Sequence, residues 1–244
     1  MTKLIARIAV VGLAAAAANA DVFMSFASDF NDQAWTWTGE YHAGHFALED
    51  ATPHTEPMTL LIDDGNGGLD PLSFTVDFNA HIDLEYISST PIGGGKFIHS
   101  YHVEEGEAGW YTDLGPVVEL VFEGAVMTIV GDEFGWDTAG SLFGSDAFAD
   151  ITYISAIDAP AYGLFAGESI GADDLAFTIS VLNTSGSLPF DGSGLGATLD
   201  PDTMFPDSQI YAEGSYSGSA NFVPTPGALA LLGVAGLGAA RRRR

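Results

Sequence analysis

Strict alternation of apolar and polar residues over 15 positions, from Leu72 to Tyr86, limits the fold of this chain more than any other feature. Every even-numbered residue of this stretch is apolar, and every odd-numbered residue is polar. A period of two places one face of an extended strand in a core and the other in water. At ~3.3 Å per residue the strand would span about 50 Å, so we expect a bend or bulge near Asn79.

Shorter stretches of the same kind are separated by glycine-rich turn signals, among them Gly93–Gly95, Gly106 and Gly144. Between residues 21 and 223 there is no helix-length stretch with a 3.6-residue apolar period. The predicted fold class is therefore all-β: an antiparallel β-sandwich, with a jelly roll as one candidate form. The further predicted strands are Met58–Ile62, Phe97–Val103, Val117–Val130, Ala149–Tyr153, Leu175–Val181 and Gln209–Tyr216.

Glycine and serine dominate the end of this segment, in Gly214–Asn221 (GSYSGSAN). Sequences of this composition behave as flexible linkers. We therefore expect a flexible tether that follows the last strand and leads to residue 224.

The first 20 residues have the three parts of an export signal. Lys3 and Arg7 are positively charged, an apolar stretch follows, and Ala18 and Ala20 form a small-x-small cleavage site. Signal peptidase is the expected partner, and cleavage after Ala20 would leave Asp21 as the new N-terminus. We expect this signal to be a short helix.

The last 21 residues also have three parts in a fixed order: a Pro-x-Pro motif, an apolar run and a basic cluster. A helix over the 14 apolar residues 227–240 would be about 21 Å long, shorter than the ~30 Å hydrocarbon core of a membrane. A weak membrane anchor and a signal that is recognised and cleaved both remain open. The residues concerned are Pro224, Thr225 and Pro226 at the start, and Arg241, Arg242, Arg243 and Arg244 at the end.

This C-terminal segment, from Val223 to Arg244, resembles the sorting signal of PEP-CTERM proteins. Those are exported bacterial proteins that exosortase, a membrane cysteine protease, processes. Thr225 stands where the family motif has glutamate. The resemblance implies an exosortase-like protease as a partner, delivery to the cell surface or release from it, and membrane contact only through the terminal segments.

Three regions follow: a signal peptide at 1–20, an acidic β domain at 21–223 and a sorting tail at 224–244. The middle region contains all 33 acidic residues and a single basic one, Lys96, which gives it a formal charge of −32. Such a charge excludes nucleic acid and anionic membrane surfaces as partners of this region, because binding them requires cationic side chains. It is compatible with solutions rich in salt or divalent cations. The chain has no cysteine, so thiolate chemistry and disulfides are excluded.

An acidic, glycine-rich segment is the strongest candidate for a metal site. Asp63, Asp64, Asn66 and Asp70 offer oxygen ligands that calcium prefers, although a solvated hairpin turn would have the same composition. Asp132, Glu133 and Asp137 form a weaker candidate of the same kind.

Two tryptophans are a candidate surface for stacking sugar rings. Trp35 and Trp37 are two residues apart, so in a strand they would share a face about 7 Å apart. Packing in the core is the alternative use of the same side chains.

Two histidine pairs, His42 with His45 and His99 with His102, have a spacing of three. Residues three apart in a strand point to opposite faces, so we expect surface or edge histidines rather than metal ligands.

Motifs for a catalytic serine, a zinc protease, a phosphate loop and a dinucleotide site are absent from the sequence. The first hypothesis is therefore a non-catalytic protein of the cell surface or extracellular matrix, which binds polysaccharide or calcium. The alternative is a secreted hydrolase that cleaves polysaccharide with a pair of carboxylates.

Overall fold

The structure, a computed structural model, describes residues 22–27, 36–42, 45–50, 58–62, 72–159, 164–184 and 195–220. These ranges contain only strands, turns and irregular segments, so none of them holds a helix that could cross a membrane. The all-β prediction is confirmed for this part of the chain, and both predicted terminal helices lie outside it. The strands are β1 Val22–Ala27, β2 Thr36–His42, β3 His45–Asp50, β4 Met58–Ile62, β5 Leu72–Gly93, β6 Lys96–Thr112, β7 Gly115–Glu123, β8 Val126–Gly131, β9 Gly135–Trp136, β10 Gly140–Ser145, β11 Asp150–Ser155, β12 Ser169–Asn183, β13 Ala197–Thr198 and β14 Ile210–Ala220.

The alternating stretch forms the first part of β5 and behaves as predicted. Its odd-numbered side chains, from Ser73 to Glu85, are exposed or half-exposed. The whole strand is 22 residues long and ends at Gly93. Gly94 and Gly95, at φ of 64° and 77°, then turn the chain into β6. The buried side chains of β5 are Val76, Phe78, Ala80, Ile82 and Leu84.

Twelve strands join in one antiparallel sheet that closes on itself twice. The first ring follows the paired strands β5, β6, β8, β10, β12, β14, β2 and β3 back to β5. The second ring follows β5, β6, β7, β11, β12, β14, β1 and β4 back to β5. The two rings share β5, β6, β12 and β14, which are the longest strands in the described part of the chain.

The passage of β6 from one ring to the other coincides with a bulge. Asp83 pairs with Glu105 and Leu84 with Val103, so Glu104 is the extra residue. No bulge lies at the expected position, because Asn79 pairs in regular register on β6. The bulge lies instead where the neighbour of β6 changes from β8 to β7. A bulge bends a strand and increases its twist, which allows β6 to pair with both.

Aromatic side chains fill the second ring. Trp110 on β6 contacts Phe78 on β5 and Tyr216 on β14, with ring centroids 5.5 and 5.4 Å apart. Tyr216 also contacts Phe177 on β12 at 4.7 Å. Strands β6 and β14 are not paired with each other, so the contact between Trp110 and Tyr216 joins opposite sides of the ring. All four side chains are buried, and aromatic burial of this extent contributes strongly to stability.

The predicted tether is wrong for Ser217–Ala220, which follow the predicted end of the last strand at Tyr216 but continue β14. This segment pairs with β12 on one edge and with β1 on the other. The hydroxyl groups of Tyr153 and Tyr216 are hydrogen-bonded to each other and lie against Gly218. A Cβ atom at Gly218 would overlap both oxygens. The small residues of this segment therefore make room for two tyrosines and do not form a linker.

One turn and one strand assignment also need correction. Gly106, predicted as a turn, lies inside β6, where the ring of Phe122 packs directly over it and leaves no room for a Cβ. The stretch from residue 117 to residue 130 forms two strands rather than one. They are separated at Gly124, which has a φ of 77° and donates its N–H to the Val103 carbonyl at 3.0 Å.

Replacing Gly218 with alanine is expected to lower the free energy of unfolding by about 1–3 kcal/mol, the usual cost of overpacking a filled core. Gly171→Ala in β12 is the matched control, because a Cβ there meets no atom within 4 Å. Urea unfolding of the two variants measures the difference. Equal stabilities would contradict the packing role of Gly218.

Alkaline pH is expected to destabilise the fold through its buried tyrosines. Burial raises the pKa of Tyr153 and Tyr216 above 10, the value of a free tyrosine. Their contribution to stability is therefore complete below about pH 10, where both states keep the phenolic protons, and falls as the pH rises further. We expect a decline of about 1.4 kcal/mol per pH unit for each such tyrosine.

Urea unfolding between about pH 9 and pH 11.5 tests this slope, with Tyr216→Phe as the variant. The substitution removes one phenolic group and is expected to make the decline shallower. An identical decline in the variant would show that other groups control alkaline unfolding.

Candidate functional site

The candidate site surrounds the single lysine of the acidic region. Lys96 begins β6, and its Nζ donates hydrogen bonds to Asp137 Oδ1 at 2.9 Å and Oδ2 at 3.1 Å. It also lies 3.1 Å from Asp132 Oδ1. We call these three residues the Lys96 clamp. The hydrogen bonds with Asp137 and then with Asp132 raise the pKa of Lys96, so the ammonium group stays charged between two carboxylates.

His99 holds the same loop from inside the first ring. It is fully buried, with Nδ1 2.7 Å from Ser89 Oγ and Nε2 2.8 Å from the Asp132 carbonyl oxygen. Because a carbonyl can only accept, Nε2–H donates to Asp132, and in the neutral imidazole Nδ1 then accepts from Ser89. The Ser89 hydroxyl in turn accepts from Tyr86, 2.9 Å away.

The prediction of a surface or edge position is therefore wrong for His99. The alternation along β6 places it on the inward face, two residues from the buried Tyr101. His102 faces the other side and is half-exposed, as predicted.

A small sheet of β9 and β13 covers this end of the first ring. Trp136 on β9 donates its Nε1–H to the Tyr101 hydroxyl at 2.8 Å, and Tyr101 donates to the Met204 carbonyl at 2.7 Å. The rings of Phe46 and Trp136 meet edge to face at 5.6 Å. The segment between Asp132 and Asp137 is thus held by the Lys96 clamp, by His99 and by the packing of Trp136.

An open groove of about 620 Å³ lies beside the Lys96 clamp. Carboxylates and hydroxyls line it together with Phe134, which is 46% exposed. Acceptors outnumber donors here, so the groove repels anions and suits ligands that donate hydrogen bonds. Its lining includes Asp132, Glu133, Asp137, Thr198, Asp207 and Ser208.

The weaker calcium prediction, at Asp132, Glu133 and Asp137, is wrong. The ammonium group of Lys96 occupies the space between the two aspartates where a cation would bind. Within the ranges that the structure describes, no three His, Asp or Glu side chains form a group that could hold a metal ion.

Most other predicted site residues stay predictions because they lie outside the described ranges. For Trp37 the structure describes the backbone, which lies in β2 and pairs with Asp50 of β3 and Ala212 of β14. The residues outside are Ala18, Ala20, Trp35, Asp63, Asp64, Asn66, Asp70, Pro224, Thr225, Pro226, Arg241, Arg242, Arg243 and Arg244.

A second groove, of about 460 Å³, lies on the outside of the second ring. Four carboxylates line it near the bulge of β6 and the adjoining ends of β7 and β11. Its exposed apolar residue is Val121, at 44%. We call this the acidic groove, and its carboxylates are those of Glu104, Glu105, Glu123 and Asp150.

Removing the charge of Lys96 is expected to destabilise this end of the first ring. In Lys96→Met the carboxylates of Asp132 and Asp137 would repel each other, so the melting temperature should fall at low ionic strength. The loss should shrink in about 1 M salt, where charges are screened beyond ~3 Å. Lys96→Arg, which keeps the charge, is the control, and equal melting temperatures for both variants would contradict the role of the clamp.

Comparison of the chain with protein-family models, with curated proteins and with solved structures gave no match. Lys96 and His99, whose contacts the sequence analysis did not predict, both hold the loop between β8 and β10.

Proposed function

We propose that this chain is an exported, non-catalytic protein of the cell surface or extracellular matrix, which binds extracellular polysaccharide. One observation carries the proposal. Lys96, the single lysine of residues 21–223, and the buried His99 are both engaged in holding the loop around Asp132 and not in a catalytic arrangement. The groove beside the Lys96 clamp presents carboxylates, hydroxyls and the exposed ring of Phe134, which are groups suited to binding.

Delivery by a PEP-CTERM/exosortase-like system is part of the same proposal. Signal peptidase would cut after Ala20, and the protease would cut near Pro224–Pro226. The formal charge of −32 over residues 21–223 supports an extracytoplasmic setting in which salt or divalent cations screen the carboxylates. Calcium at Asp63, Asp64, Asn66 and Asp70 remains within the proposal as a second ligand.

The domain that would be displayed is a β-sandwich in this proposal. The contact of Trp110 with Tyr216 supports it, since these side chains come from unpaired strands on opposite sides of one ring. Face-to-face sheets are joined by such contacts between their inner faces. The jelly-roll form stays a prediction.

A second candidate function is hydrolysis of polysaccharide by a secreted enzyme. The acidic groove favours it, because it brings together Glu104, Glu105, Glu123 and Asp150 beside an exposed apolar side chain. Glycoside hydrolases use a pair of carboxylates, one as acid and one as base or nucleophile.

Two measurements on the exported protein test the proposal. Mass spectrometry is expected to give a chain that begins at Asp21 and ends between Val223 and Pro226. Incubation with a panel of soluble polysaccharides is expected to raise the melting temperature without release of reducing sugar, because binding stabilises the folded state.

Recovery of an intact Arg244 terminus outside the cell would contradict processing by the protease. Release of reducing sugar would contradict the non-catalytic assignment. If Glu123→Gln abolished that release, the acidic groove would be its site and hydrolysis would replace binding as the function.

A further inference from the structure

Six hydroxyl-bearing residues stand in register on the outer face of the first ring. They come from six neighbouring strands, and all are partly or fully exposed. Neighbouring strands are ~4.8 Å apart, so the row extends for about 24 Å across the sheet. We call it the hydroxyl ladder, and its members, in order of pairing, are Ser88, Ser100, Thr128, Ser141, Thr178 and Ser215.

The ladder can both donate and accept hydrogen bonds. Thr128 Oγ1 and Ser141 Oγ are 3.3 Å apart, and Thr178 is hydrogen-bonded to Ser215. Each hydroxyl has one donor and two acceptor sites, so a bonded pair keeps one donor and three acceptor sites for a ligand. Phosphates and carboxylates only accept, whereas sugar hydroxyls, like the ladder, do both.

The adjacent row on the same face is apolar at its centre, where Val126, Phe143 and Ala176 pair in register. Phe143 is 41% exposed, and its ring lies 6.1 Å from that of Phe148, which is 50% exposed. Sugar rings present apolar faces as well as hydroxyls, so an apolar row beside a hydroxyl row matches both parts of a sugar unit.

The hydroxyl ladder contains no acidic or basic residue, and neither does the apolar centre of the adjacent row, Val126, Phe143 and Ala176. That row continues on β6 and β5 to His102 and Glu85, and four further acids lie in the acidic groove. A polyanion would be repelled by the surrounding charge, and a polycation would bind the carboxylates first. The uncharged ladder at the centre of this face therefore suits an uncharged partner.

We propose that the hydroxyl ladder and the apolar row beside it bind a neutral polysaccharide, with the sugar polymer running across the strands. A polymer that repeats its hydroxyl groups at regular intervals matches a row that repeats them at the spacing of the strands. This inference rests on the proposed function and names the class of polysaccharide and the surface that binds it.

Affinity electrophoresis of the full-length protein in gels containing a polysaccharide tests the inference. The neutral probes are dextran, laminarin and hydroxyethyl cellulose, and alginate is the anionic probe. At least one neutral probe is expected to slow the protein, and alginate is not. The double variant Thr128→Val and Thr178→Val is expected to bind about tenfold more weakly, since it loses two hydroxyls at nearly constant shape.

The matched control is the double variant Thr59→Val and Thr75→Val. These exposed threonines are also cross-strand partners, on β4 and β5, and lie away from the ladder. Melting temperatures of both double variants confirm that each is folded before binding is compared.

A ladder variant that binds as tightly as the control would place the polysaccharide elsewhere, which overturns this inference and leaves the proposed function standing. Retardation by alginate alone would overturn the assignment to a neutral polymer. If none of the polysaccharides slowed the protein, the assignment to a neutral polymer would also be overturned. The mass of the mature chain would still decide the delivery route independently.

Discussion

The contact between Trp110 and Tyr216 is the interaction on which the rest of this fold depends. It joins two of the four strands that both rings share, and it does so across the interior. Gly218 follows from it, because Tyr216 and Tyr153 need the space that a side chain would take. The bulge at Glu104 has a separate cause, since β6 bends there to pair with β8 in one ring and with β7 in the other. The packed aromatic rings thus explain why a glycine stands at position 218.

Electrostatic repulsion works against this core. With a formal charge of −32 over residues 21–223, the compact state brings carboxylates closer together than the unfolded chain does. The one lysine is placed where two aspartates would otherwise face each other at the end of the first ring. The described surface is unevenly charged: the acidic groove lies on the second ring, whereas the hydroxyl ladder lies on the first.

The alternation of apolar and polar residues predicted those features of the fold that depend only on which face of a strand is buried. Leu72–Tyr86 shows its inward face in the sequence, and the strand forms with that face in the core. The sequence does not show why a glycine stands at a particular position of a strand. Gly106 and Gly218 are determined by rings that arrive from distant strands, and composition alone suggested a turn and a linker. His99 was accessible to sequence reasoning, because it alternates in phase with Tyr101. The Lys96 clamp was not, since nothing local places Asp132 and Asp137 around a residue more than thirty positions away.

The position of β14 in both rings also has a consequence for how the chain reaches its native state. Its pairing with β1 brings Ser219 beside Val22, a contact of nearly maximal sequence separation in the described chain. Long-range pairing of this kind makes folding slow, because the entropy of closing the loop is lost before the contacts form. Neither ring can close until residues 210–220 are available to pair. Partial chains that end before β14 therefore cannot complete either ring, and the fold becomes compact only when this strand is in place.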